Sequence, residues 1–184
     1  MNDMEYEDKA AKLMEVLESR KSFPDYIFSR RFEQHFFFDL DICSSDIVIC
    51  AAKEIILNCL GTEVRVAVFS FTERTLLGWL ESDDDWSFKI GAMSESLRRS
   101  GDYNGLILID DLKKCIVYQA RPVDLGILAF DGSNNWRAIS TVARDCFVDA
   151  HDIESWLTGE SVYGAALVND LGREYLAALA KNYA

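Results

Sequence analysis

Two histidines and five cysteines are the side chains of this 184-residue sequence best suited to nucleophilic or metal chemistry. Cys146 and His151 lie five positions apart with Asp149 and Asp152 beside the imidazole, and Cys115 and His35 are the other members such a pair could draw on. A thiol-dependent catalyst needs its base within hydrogen-bond reach and a third group to orient that base. Neighbours in sequence seldom meet this requirement, because such sets are assembled across a fold. The expectation is a buried Cys146 and a surface His151 that opens a helix. Metal binding fares no better. His35 and His151 stand 116 positions apart, and Cys43, Cys50 and Cys59 are spaced seven and nine, which matches no zinc pattern. No metal and no cofactor are expected. The ten glycines are scattered, GxGxxG, GxxxxGK[ST] and GxSxG are all missing, and Gly159–Gly164 reads as a loop.

Carboxylates are the remaining candidates. Asp110-Asp111 falls where a hairpin turn is expected, and Asp is favoured there for hydrogen bonds to its own backbone. Asp83-Asp84-Asp85 falls at a helix start, where acids cap amides and complement the helix dipole. The triple Asp also stands directly before Trp86, and Asp152, Glu154 and Trp156 repeat the combination of acid and large aromatic. Interfaces concentrate energy in aromatic anchors, while flanking charges set association rate and selectivity. Partner binding by Asp83, Asp84, Asp85, Trp86, Asp152, Glu154 and Trp156 is therefore one reading. Core packing is the competing fate of both tryptophans, because each fits a helical stripe.

Charge and hydropathy bound the partners. The chain carries 31 Asp and Glu against 19 Lys and Arg, a formal charge of −12, and the acidic excess runs along its whole length. Nucleic-acid binding depends on cations that displace counterions from phosphates, so DNA and RNA are poor partners. Anionic membrane surfaces are excluded on the same ground. A basic protein partner is favoured by electrostatic steering. The longest run without a charged residue is Ser161–Asn169, nine positions, where a membrane helix needs about 20. Met1–Asp8 is acidic, unlike a signal peptide. An odd number of cysteines and no CxxC pair predict reduced thiols in the cytoplasm.

The elements that must position these residues follow from periodicity. With 49% hydrophobic residues, the length predicts a single domain over residues 1–184. Helices are predicted over Tyr6–Glu18, from Ser22–Pro24 to about Phe37, over Ile47–Leu60, from Trp86 to before Gly101, over Asp149–Leu157 and over Ala166–Asn182. Phe36–Phe38 reads equally as a short strand. Strands are predicted at Val64–Phe71, Gly105–Ile109, Cys115–Ala120 and Leu125–Phe130. The connections Asp110–Lys114 and Arg121–Asp124 are too short for crossover helices, so the last three strands should form an antiparallel meander. Asp131–Asn135 reads as a loop. The fold class is α+β: an antiparallel meander sheet of about four strands, covered mainly on one face by helices from both termini.

In size, acidity and lack of a catalytic set, with Asp83-Asp84-Asp85-Trp86 and Asp152-Ile153-Glu154-Ser155-Trp156 as the residues that carry the likeness, the chain resembles bacterial immunity proteins. These neutralise a cognate toxin, including in contact-dependent inhibition systems. The resemblance implies a non-catalytic cytosolic protein that caps a basic toxin, such as a nuclease. Two alternatives stay open: an acidic secretion chaperone, and a thiol-dependent enzyme using Cys146 or Cys115 with His151 or His35.

Overall fold

Near-continuous runs of apolar side chains build a sheet that is buried on both sides. β2 (Val66–Ser70), β4 (Leu106–Asp110), β5 (Cys115–Gln119) and β6 (Gly126–Phe130) are buried along their whole length, as strands covered on both faces must be. β1 (Gln34–Phe38) and β3 (Leu76–Leu80) form the edges. The computed structural model describes residues 3–121, 125–132, 140–158 and 162–184. Among these, six strands make one sheet in the order β1-β6-β5-β4-β2-β3, and every neighbouring pair is antiparallel.

The protein is α+β, and β4, β5 and β6 form the expected meander. Two expectations are corrected. The sheet has six strands rather than about four: β1 holds the strand alternative at Phe36–Phe38, and β3 is an edge strand beyond those expected. Helices also cover both faces rather than mainly one. Residues of one parity, such as Phe36, Val66, Leu108, Val117 and Leu128, pack against α2 (Asp46–Leu60), α3 (Trp86–Arg99) and α4 (Thr141–Asp145). Those of the other parity, such as Phe37, Ile107, Ile116 and Ile127, pack against α1 (Asp3–Met14), α5 (Ala150–Leu157), α6 (Val162–Leu171) and α7 (Arg173–Tyr183). The terminal helices thus share one face, and the internal helices fill the other.

The helix expected from Ser22 to about Phe37 is absent. Residues 15–33 run as an irregular segment, with Leu17 bridged to Phe28 and with Glu18 N–H donating to Ile27 at 2.8 Å. Ile27, Phe28 and Phe32 are buried against α7, where Tyr183 Oη donates to the Asp25 carbonyl at 2.8 Å and accepts from Ile27 N–H at 3.0 Å. Burial of closely spaced aromatics around one tyrosine overrides the local helix signal. The strand alternative at Phe36–Phe38 holds, as part of β1. The helix expected over Ala166–Asn182 is divided by Gly172, whose φ of 89° no helical residue adopts. Within the expected Gly159–Gly164 loop, α6 already begins at Val162. Residues 122–124 of the β5–β6 connection and 133–135 of the expected loop lie outside the described residues. No helix among the described residues is long and apolar enough to cross a membrane.

Candidate functional site

The acidic cluster at the start of α3 is organised residue by residue. Asp85 is the N-cap, and its carboxylate accepts from Phe88 N–H at 3.0 Å. Asp84 accepts from Glu81 N–H at 2.7 Å and pairs with Lys89 at 2.5 Å. The Lys89 ammonium and the Glu81 amide hold the Asp84 carboxyl below its usual range. Lys53, from α2, donates to the Asp84 carbonyl at 2.7 Å. Asp83 is exposed. Trp86 is not a surface anchor: it is 2% exposed, and its indole N–H donates to the Glu81 carbonyl at 2.7 Å.

The second acidic group is built alike and lies elsewhere. Asp149 caps α5 by accepting from Asp152 N–H at 2.9 Å, and Asp152 returns the bond to Asp149 N–H at 3.0 Å. This reciprocal box satisfies two amides that a helix start leaves open. Glu154 is exposed, and His151 stands 3.8 Å from it. Trp156 is 6% exposed and packs closely on Gly164 of α6. α3 and α5 cover opposite faces of the sheet, so the two acid–tryptophan groups cannot form one surface.

The histidines, far apart in sequence, line one open cavity of about 330 Å3 together with Arg31, Glu33, Glu154 and Tyr183. His35 contacts Tyr26 Oη through Nε2 at 3.2 Å and is ringed by Phe28 and Tyr183. Burial lowers its pKa to about 4, so the imidazole is neutral at pH 7. Neither cysteine of the proposed thiol pairs lines this cavity. Strand parity explains why. Cys115 and Cys146 pack on the α2–α3 face, whereas His35 alternates with Phe36 onto the α5–α7 face that also carries His151. Burial moreover raises the thiol pKa of Cys115 well above its ordinary value and raises that of Cys146 too, the opposite of what a thiolate nucleophile needs. Among the described residues no group of three or more His, Cys, Asp or Glu side chains is placed to hold a metal ion. Asp110 is a structural acid: buried, with burial raising its pKa, it accepts from the N–H groups of Leu112 and Cys115 in the β4–β5 turn.

The residues the sequence reading missed lie on the exposed sides of α2 and α3. Phe88 is 74% exposed and Ile47 is 58% exposed, and Cys50 is the exposed cysteine among the five. Cys50 Sγ stands 4.0 Å from Ser87 Oγ, which joins the outer stripe of α2 to the first turn of α3, just after its acidic cap. A signal for both was present. The inward stripe Trp86, Ile90, Met93, Leu97 leaves Phe88 on the far side, two residues from Trp86 and so about 200° around the helix. On α2 the polar stripe through Glu54 and Asn58 extends back, at spacings of three and four, to Cys50 and Ile47. Beside them, a groove of about 310 Å3 opens between α2 and α4. Compared with known protein families, with curated proteins and with solved structures, the chain finds no match in any of the three.

Proposed function

We propose that this chain is a non-catalytic acidic binding protein that neutralises a basic protein partner, in the manner of a cytoplasmic bacterial immunity protein that caps a cognate toxin. The observation that carries the reading is Phe88, an aromatic side chain 74% exposed one turn from Asp83, Asp84 and Asp85. An apolar anchor beside clustered charge is the composition that interfaces use for affinity and for steering. Ile47 and Cys50 extend the apolar part on α2. Phe88 thus takes the anchoring role that the sequence suggested for Trp86. Asp152, Glu154 and Trp156 belong to the other face, where Trp156 is core and Asp152 a cap, and they are not part of the proposed surface.

The test compares four forms as baits for native-source lysate at 50 and 500 mM salt: wild type, Phe88→Ala, Ile47→Ala, and the triple Asp→Asn variant at positions 83, 84 and 85. Asn caps a helix as well as Asp, so α3 persists in the triple variant, and circular dichroism verifies each fold. The expected result is one basic protein held by the wild type in near-stoichiometric amount, released by salt, and held on the order of tenfold less tightly by Phe88→Ala. Retention of that protein by all four forms alike would remove this surface from the interface. No basic protein held by the wild type at 50 mM salt overturns the reading.

A further inference from the structure

We infer that the groove between α2 and α4 receives one apolar side chain from an extended segment of the basic partner, with a lysine or arginine two positions to either side of it. This rests on the acidic-surface reading above and names what that surface selects. The groove floor is made by Ala51 and Ala143, both buried, and Ile47 and Cys50 form its outer wall. Its volume, about 310 Å3, is at the small end of ligand pockets, which run from about 300 to 1,000 Å3, and is ample for one apolar side chain. The small alanines are what leave the space, and Glu54 keeps it open. Its carboxylate accepts from Ser140 N–H at 2.5 Å and from Ser140 Oγ at 2.7 Å, while Ser140 Oγ accepts from Ala143 N–H at 3.2 Å, so α4 is held beside α2 at a set distance.

The occupant follows from charge. Asp46 and Glu54 both line the groove and are eight residues apart on α2, which is about 12 Å along a helix axis. In an extended chain, residues two before and two after a given residue share its face and stand about 13 Å apart. A segment that drops an apolar side chain onto Ala51 therefore presents its flanking cations to Asp46 at one end and Glu54 at the other. Asp83 and Asp85, next to Phe88, extend the negative field beyond the groove.

The probes are two synthetic pentapeptides, acetyl-Lys-Ser-Leu-Ser-Lys-amide and its counterpart with Gly in place of Leu, titrated into the full chain and followed by amide and methyl NMR at 20 and 300 mM salt. The expected result is binding of the Leu peptide about tenfold tighter than the Gly peptide. Shifts should appear at the methyl groups of Ile47, Ala51 and Ala143, and both affinities should fall with salt. Alkylation of Cys50 by N-ethylmaleimide fills the groove and should remove the preference, the rest of the spectrum reporting that the fold is kept. Equal, salt-sensitive binding of both peptides at the acidic amides, with the three methyl groups unmoved, overturns the groove and spares the acidic-surface reading. A Leu preference that survives 300 mM salt unchanged overturns the role of the flanking cations. No shift from either peptide at 20 mM salt overturns the groove inference, while the acidic-surface reading stands or falls with the lysate capture.

Discussion

His35 shows how much a single residue's fate depends on its surroundings. It is one of two histidines, and in the folded chain desolvation holds its pKa near 4 against an ordinary 6.5. The unfolded chain therefore binds this proton more readily than the folded one. The stability that His35 contributes is complete above about pH 6.5 and is lost as the pH falls toward 4. Arg31 disfavours the added charge further, and Asp131 opposes that effect. The urea midpoint of wild type should fall relative to that of His35→Gln between pH 7 and pH 4, because Gln keeps the hydrogen bonding and cannot charge. Parallel profiles would show that His35 does not titrate with folding. The cysteines give a second residue-scale outcome. Cys50 should be alkylated by iodoacetamide on the order of tenfold or more faster than Cys43 or Cys115, both of which are buried with raised pKa. Mass spectrometry of a time course would locate the adduct, and a first adduct at Cys115 would contradict the burial described above.

At the scale of the element, local chemistry and tertiary packing can be separated by substitution. Asp85→Ala removes the α3 cap and should cost about 1 kcal/mol, with Asp85→Asn near neutral. Gly91, inside α3, has open space around it, so Gly91→Ala should stabilise by about 0.5–1 kcal/mol through helix propensity alone. Gly105 differs, because a Cβ there would collide with the Gln119 carbonyl of β5. Gly105→Ala should cost about 3 kcal/mol, by forcing a backbone shift between two central strands. Chemical denaturation of the four variants checks the order, and a Gly105→Ala protein as stable as wild type would show that β4 and β5 can move apart. The same contrast governs what was legible. α2, α3, α5 and the meander were readable because cap residues, Gly61 and short turns mark them within the segment itself. The irregular stretch before β1 was not, because Tyr183, more than 150 positions away, decides it. Nor was β3, a five-residue edge strand whose LLGWL sequence has no β-branched residue and a central Gly.

At the scale of the whole molecule, the −12 charge is the dominant electrostatic fact. Like charges spread over one surface repel, and salt screens them over about 10 Å at 0.1 M. The thermal midpoint should therefore rise by a few degrees between 10 and 200 mM NaCl, while association with a cationic partner slows over the same range. A midpoint that falls with salt would mean that attractive pairs, such as Asp84 with Lys89, outweigh the net repulsion. What the sequence by itself determined is whatever is local or summed: the α+β class, the acidic character, the capped helices, the hairpin acids and the mismatch to zinc spacings. Each depends on neighbouring residues or on totals, and both can be read without knowing where the chain goes. Only the tertiary structure decided which side of the sheet each residue occupies. A strand's alternation says that Cys115 and Ile116 face opposite ways, but not which helices cover each face. That assignment parts the cysteines of the supposed catalytic pairs from the histidines and sets the two acid–tryptophan groups on opposite faces.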